Sequence, residues 1–263
     1  MKQPRIYIIS RPKVELEELL RFLDDQKLPP LHDAHADEQF FLSSEKTEDP
    51  QLLVEVAGRL CYMSYTGKRI RGDINSYIKN LVTSGHESVL EHMTWSFILT
   101  GVSRAFTHQL VRHRIGFSFS QLSQQYVDHK DVDLVFPGVS EAAYEELQPE
   151  VEELTNKLNE IYKKMARHSI DLNTDSKERL RNERSTSRTI LPNATETRIF
   201  VTANARSLRH FLKVRGTTPG DVEMRQVCGL IYEMVNADAS ACLVDLQRKT
   251  DNSGLPLIFE TDS

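Results

Sequence analysis

The run Arg112-His113-Arg114, followed by the serine- and glutamine-rich SFSQLSQQY (118–126), carries the densest chemistry in the chain. Three cationic or ionisable side chains in succession repel one another, so the cluster favours an anion. Arginine offers a planar fork that matches phosphate, and the serines and glutamines beyond it add neutral hydrogen-bonding groups. A second cluster lies in NARSLRHFLKVR (204–215), where Arg206 and His210 stand at i and i+4 and share a helix face, with Arg215 at the helix end. Arg188 lies between the two clusters, ahead of Pro192. Residues 97–126 carry +3 and residues 181–215 carry +6, leaving −14 on the rest of a chain whose net charge is −5. The competing reading is a pair of solvated helix faces, the usual fate of charge runs.

Other chemistries find less support. GHESVLEH (85–92) pairs His with Glu twice, but the helical zinc motif needs histidines at i and i+4. The residue four after His86 is Leu90, and the next histidine is six away with no cysteine nearby, so no metal site is expected. Neither a GxxxxGK[ST] nor a GxGxxG phosphate loop is present. Cys61, Cys228 and Cys242 sit in apolar stretches that predict buried structural thiols rather than nucleophiles. Three widely spaced cysteines make no disulfide framework and point to a reducing cytoplasm. The negative net charge argues against a general nucleic-acid or anionic-membrane binder. The N-terminal MKQPRIYIIS is too short in its apolar run for a signal peptide, and no apolar stretch approaches the roughly 18 residues of a membrane span.

The elements that must position these side chains read as one α+β domain over residues 1–263, with more helix than strand. The 263 residues, 39% of them hydrophobic, suffice for a sizeable core. Arg5–Ser10 reads as a strand, residues 12–25 as a helix, and 30–49 as a polar loop. Helices are expected at Gln51–Tyr62 and Ile74–Ser84 from their apolar spacing. Met93, Trp95, Phe97 and Leu99 alternate with Thr94, Ser96 and Ile98 in a strand that Gly101 closes. Ser103 then caps a helix over 103–114, which places Gln109, Arg112 and His113 on one face. Phe117–Tyr126 reads as an extended loop. A long helix is expected near 150–172, a polar stretch over 173–187, a strand at Thr197–Thr202 and a helix over 205–214. Thr218 caps a last long helix with Pro219 at its first position. The polar tail, 250–263, is expected to be disordered.

Taken in order, AGRLCYMS (57–64), GHESVLEH, SRAFTHQLVRHR (103–114), SFSQLSQQY, SRTILPNATETR (187–198), NARSLRHFLKVR and DVEMR (221–225) resemble the flavin-dependent thymidylate synthases. This is the alternative class, unrelated to the cysteine-based enzyme, and the resemblance runs from about residue 52 to 235. It implies a central antiparallel-type sheet packed with helices, in a homotetramer whose active sites draw on more than one subunit. It also implies FAD, NADPH and methylenetetrahydrofolate as cofactors and co-substrate, dUMP as substrate, dTMP as product, and no metal, nucleic-acid or membrane partner. By resemblance, His86, Ser88, Glu91, Arg112, His113, Arg114, Ile115, Asn204, Arg206 and His210 contact FAD. Gln109, Arg112, Gln121, Ser123, Gln125, Arg188 and Arg215 match the dUMP positions. Ser123 and Arg215 stand nearest the chemistry. A serine with no adjacent base is a weak nucleophile, so Ser123 reads as a hydrogen-bond donor to dUMP and Arg215 as the group that polarises the pyrimidine carbonyl.

The chain departs from the family pattern in two places. The stretch after the RHR run is one residue longer, and the arginine of the family's SxRY is Gln125 here. Glutamine has no charged fork, which opens a second reading: a flavoenzyme that modifies another pyrimidine nucleotide. A third is an RNA-binding protein using residues 181–215 with Phe200, His210 and Phe211. The −14 on the rest of the chain opposes that reading, because it repels a long polyanion while leaving room for a mononucleotide.

Overall fold

The computed structural model describes residues 2–28, 50–64 and 74–261. The loop expected over 30–49 lies outside these residues. The chain divides into two compact units. The first gathers Met1–Tyr7, Ile98–Arg114 and Phe119–Val201; the second gathers Ile8–Phe97, Ile115–Ser118 and Thr202–Ser263.

Four strands, β1 (Arg5–Ser10), β2 (Thr94–Ser103), β3 (Phe117–Gln121) and β4 (Glu196–Asn204), form an antiparallel sheet in the order β1-β2-β4-β3. Alternation fixes the faces of the central pair. Trp95, Phe97 and Leu99 in β2 are fully buried, as are Ile199 and Val201 in β4. Gly101 does not close β2 but lies within it at φ 66°, where a Cβ would come 2.3 Å from the Gln3 carbonyl oxygen. Only glycine lets the backbones approach that closely. β3 replaces the expected loop. Phe117 and Phe119 alternate with Ser118 and Ser120, but over only five residues, and just beyond the strand the Leu122 N–H meets the Arg198 carbonyl at 2.9 Å.

Eight helices lie among the described residues: α1 (Leu16–Asp25), α2 (Leu52–Tyr62), α3 (Ile74–Thr83), α4 (Arg104–Leu110), α5 (Glu141–Arg167), α6 (Ser176–Ser187), α7 (Ala205–Arg215) and α8 (Val222–Ala239). A short 3-10 helix covers Glu87–His92. Ser103 caps α4 as expected, its hydroxyl accepting the Phe106 N–H at 3.0 Å. The helix stops four residues early. Arg112 and His113 N–H groups turn back to the Gln109 and Leu110 carbonyls, both at 3.1 Å, so these two residues leave the helix face that carries Gln109.

Three further expectations are corrected. α6 arises in the polar 173–187 stretch because Asp175 accepts the N–H groups of Lys177 and Glu178 at 2.8 and 3.0 Å. α8 starts at Val222, capped by Asp221, whose carboxylate takes the Met224 N–H at 3.0 Å; Thr218 does not cap it. The tail is not disordered through residue 260. β5 (Leu246–Thr250) and β6 (Pro256–Glu260) pair as an antiparallel hairpin. Its turn is held by Asp251, which accepts Arg225 Nη2 at 2.6 Å and the Leu255 N–H at 3.0 Å.

The first unit packs around Leu99, Val102, Phe106, Leu110, Ile199 and Val201, with Leu158 and Tyr162 of α5 buried too. Pro149 interrupts α5, and both of its buried residues lie beyond that proline. The second unit packs β2 residues Trp95 and Phe97 with Leu208, Phe211, Met224, Val227 and Ile231, all essentially inaccessible. Cys228 and Cys242 are buried, and burial pushes the Cys228 thiol far up. Cys61, expected to be buried, is exposed.

Candidate active site

The first unit holds Gln109, Arg112, His113, Arg114, Gln121, Ser123, Gln125 and Arg188. The Gln121 amide nitrogen donates to Thr107 Oγ1 at 2.9 Å and Thr197 Oγ1 at 3.3 Å. The two threonines spend the donor end and leave the amide oxygen to accept from a ligand. Ser123 Oγ accepts the N–H groups of Gln125 and Tyr126, both at 3.2 Å, which folds SQQY into a tight turn. Its hydroxyl hydrogen is still free to point outward. The His129 ring hydrogen-bonds the Ser123 backbone, so it is not aimed at the hydroxyl as a base. Burial is the main reason the His129 pKa is lowered, which keeps the imidazole neutral.

Four supporting residues carry no sequence signal of their own. The Tyr162 hydroxyl accepts the His129 N–H at 3.4 Å. Arg184 Nη1 donates to the Tyr126 carbonyl at 2.7 Å, and the Arg181 guanidinium lies 5.1 Å from the Tyr126 ring centre. The Arg104 guanidinium is lowered first by burial and then by the charge of Arg188. Arg104 and Arg188 therefore repel each other, and the charge of Arg104 is felt at His129 together with those of Asp128 and Glu196.

The second unit holds His86, Ser88, Glu91, Ile115, Asn204, Arg206, His210 and Arg215. His86, Ser88 and Glu91 are exposed on and beside the 3-10 helix, while Leu90 anchors it with no accessible surface. Asn204 caps α7, accepting the Ser207 N–H at 2.9 Å. Arg206 and His210 share the outer face of α7, and Arg206 Nη1 meets Glu91 Oε1 at 2.6 Å. That bond joins two blocks separated by 115 positions. Gly116 lies at φ 69°, where a Cβ would stand 2.0 Å from Ser207 Oγ and 2.7 Å from Asn204 Nδ2. The backbone after RHR therefore lies directly on the N-terminus of α7.

A family model described as thymidylate synthase complementing protein matches residues 44–239. A flavin-dependent thymidylate synthase of Mycolicibacterium gilvum (strain PYR-GCK) is 42% identical over 193 residues, 66% of this chain and 71% of that protein. The protein of the same name from Mycobacterium sp. (strain KMS) is 39% identical over 226 residues, covering 79% of this chain and 86% of its own length. That from Mycobacterium tuberculosis (strain ATCC 25177 / H37Ra) is 38% identical over 203 residues, 75% and 80% of the two chains. The chain belongs to the flavin-dependent thymidylate synthase family. It is an enzyme of dTMP synthesis. No helix among the described residues is long and apolar enough to cross a membrane. Nor do those residues contain a cluster of three His, Cys, Asp or Glu side chains able to hold a metal.

In this thymidylate synthase, Gly116→Ala is expected to lower stability by roughly 1–3 kcal/mol, because the new methyl adds overpacking to an unfavourable φ. Urea unfolding of the cofactor-free protein measures it. An unchanged midpoint would mean that the loop does not rest on Ser207 and Asn204.

Proposed function

We propose that the enzyme methylates dUMP to dTMP, with methylenetetrahydrofolate as carbon donor and NADPH and FAD as reductants, in a homotetramer with shared active sites. The observation that carries the reading is the Arg206–Glu91 bond, which ties the two blocks attributed to the flavin into one surface of one unit. The donor set there suits a dinucleotide: exposed Arg206 and His210 on one helix face, exposed His86 and Ser88, and a glycine whose missing side chain lets backbone approach. His86, Ser88, Glu91, Asn204, Arg206 and His210 would hold FAD, and Arg112, His113, Arg114 and Ile115 are the other residues proposed to contact FAD in the assembled tetramer. When bound, the flavin supplies the redox step that turns the transferred carbon into a methyl group.

The chain's own residues bind, orient and polarise. Gln109, Gln121, Ser123, Gln125 and Arg188 hold the nucleotide, and Arg112 borders both ligands. Ser123 donates its hydroxyl hydrogen. Arg215 stabilises charge that builds on the pyrimidine carbonyl during attack. No thiol takes part, in keeping with the inaccessible Cys228 and Cys242. The three free thiols accord with a reducing cytoplasm.

The test is tritium release from ring-labelled dUMP in the presence of NADPH and methylenetetrahydrofolate. A yellow protein that releases tritium in step with dTMP formation is expected. Bound FAD without release would favour a relative that modifies another pyrimidine nucleotide. A colourless protein that takes up no FAD, and binds RNA with a steep salt slope, would overturn the flavoenzyme reading altogether.

A further inference from the structure

Three residues along α7 from the exposed Arg206, Arg209 turns inward, and its side chain is 1% accessible. A guanidinium so removed from water must be met by fixed partners. Arg209 grips Asp245 as a fork, Nη1 to Oδ1 at 2.7 Å and Nη2 to Oδ2 at 2.9 Å. Nη1 also donates to the Cys242 carbonyl. Nη2 reaches Glu87 Oε1 at 2.9 Å, and Nε has no partner among the described residues. Lys213 Nζ joins Asp245 at 2.9 Å and Glu260 at 2.6 Å. Glu87 also lies 3.9 Å from Arg206 Nε.

The charges therefore alternate without a break: Glu91, Arg206, Glu87, Arg209, Asp245, Lys213, Glu260. One end of the chain of charges is the 3-10 helix that presents His86, Ser88 and Glu91. The other end is β6. Burial alone would raise the Asp245 carboxyl, but hydrogen bonds and charge from Arg209 and Lys213 outweigh it and hold its pKa at about 2. Asp245, at the centre of the lattice, therefore stays ionised well below neutral pH.

We propose that Arg209 is a positioning residue for the flavin cradle, fixing the Glu87–His92 segment against α7 and the C-terminal hairpin without touching a ligand. The proposal rests on the flavin reading above. Arg206 alone holds the segment at Glu91 from an exposed position, where a single ion pair is weak and screened by salt. Arg209 supplies the buried second point that stops the segment from pivoting about the first. Its removal need not unfold the protein, because Asp245 keeps Lys213 and Glu87 keeps its approach to Arg206.

The experiment compares wild type with Arg209→Met, Arg209→Lys, Glu87→Gln and the Arg209→Met/Glu87→Gln double variant. Amide hydrogen exchange across residues 86–92 is measured in the cofactor-free protein, and FAD affinity is measured by titration. Arg209→Met is expected to speed exchange in that segment and to weaken FAD roughly 10- to 100-fold, the scale found when partners behind metal ligands are removed. Glu87→Gln should weaken FAD as well, the double variant should be no worse than Arg209→Met, and Arg209→Lys should recover part of the loss. Unchanged exchange and unchanged FAD affinity in a folded Arg209→Met protein overturn the proposal. Additive losses in the double variant also overturn it. If Arg209→Met does not fold, Arg209→Lys and Glu87→Gln decide by the same two measurements. A wild type that takes up no FAD sinks the flavin reading instead, and the exchange data still show whether Arg209 fixes the segment.

Discussion

Arg215→Met is expected to lower kcat for dTMP formation by about 100- to 1000-fold, with a much smaller change in KM for dUMP. Loss of one preorganised donor at a developing oxyanion has that scale. The geometry explains why this arginine is suited to the task. It is the last residue of α7, half-buried, and its charge is felt at the inaccessible Cys228 thiol. The backbone on either side is fixed. The Thr218 N–H returns to the Arg215 carbonyl at 3.2 Å, and the Ile258 N–H meets the Gly216 carbonyl at 3.2 Å. A Cβ on Gly216 would fall 2.6 Å from Ile258 Cβ, so β6 seals the helix end. Arg215→Lys should retain part of the rate, because it keeps the charge but not the fork. A loss below tenfold in the Met variant, measured with saturating dUMP, would remove Arg215 from the chemistry.

The second large effect concerns the SQQY turn. Gln125→Arg is expected to tighten dUMP binding by about 10- to 100-fold, since one restored charge-assisted hydrogen bond is worth about 1.5–3 kcal/mol. The turn already carries positive charge from Arg181 and Arg184, which brace Tyr126. A third arginine repels both, so the variant should be slightly less stable when empty and gain only when an anion arrives. Isothermal titration with dUMP, alongside urea unfolding of the free protein, separates the two. No rise in affinity would end the assignment of residue 125 to the nucleotide. It would also remove the reason that Gln125 gives for a different pyrimidine substrate.

These contrasts follow what the sequence made legible. β2 and β4 were readable because their apolar residues alternate, and the run 205–214 read as a helix. β3 was less plain, since Phe117 and Phe119 alternate with Ser118 and Ser120 for only four residues before the polar QLSQQY run; β4 lies beside it as its partner. α6 has no apolar stripe to betray it; an aspartate cap starts it. The hairpin looked like a polar tail because few of its residues, Leu246 and Ile258, are buried, and ion pairs, Lys213 with Glu260 and Arg225 with Asp251, hold it as well. The residues proposed to contact ligands came from motif resemblance rather than from periodicity. Glu87 and Arg209 escaped notice because nothing local announces that side chains 122 positions apart will meet.

Pro149 has a consequence for the SQQY turn. Proline offers no N–H, so the helical bond that would reach back to the Glu145 carbonyl is missing. The first two turns of α5 contain no buried residue, while Leu158 and Tyr162 anchor the remainder. The helix is therefore two cooperative lengths, and the outer one can melt without pulling on the inner. The inner length is the one that matters to the turn. Tyr162 holds His129, and Asn159 Oδ1 accepts the Val132 N–H at 3.1 Å. The stretch before the proline packs only lightly, Tyr144 against Phe136 at 5.9 Å between ring centres, so fraying there spares the residues that steady Ser123.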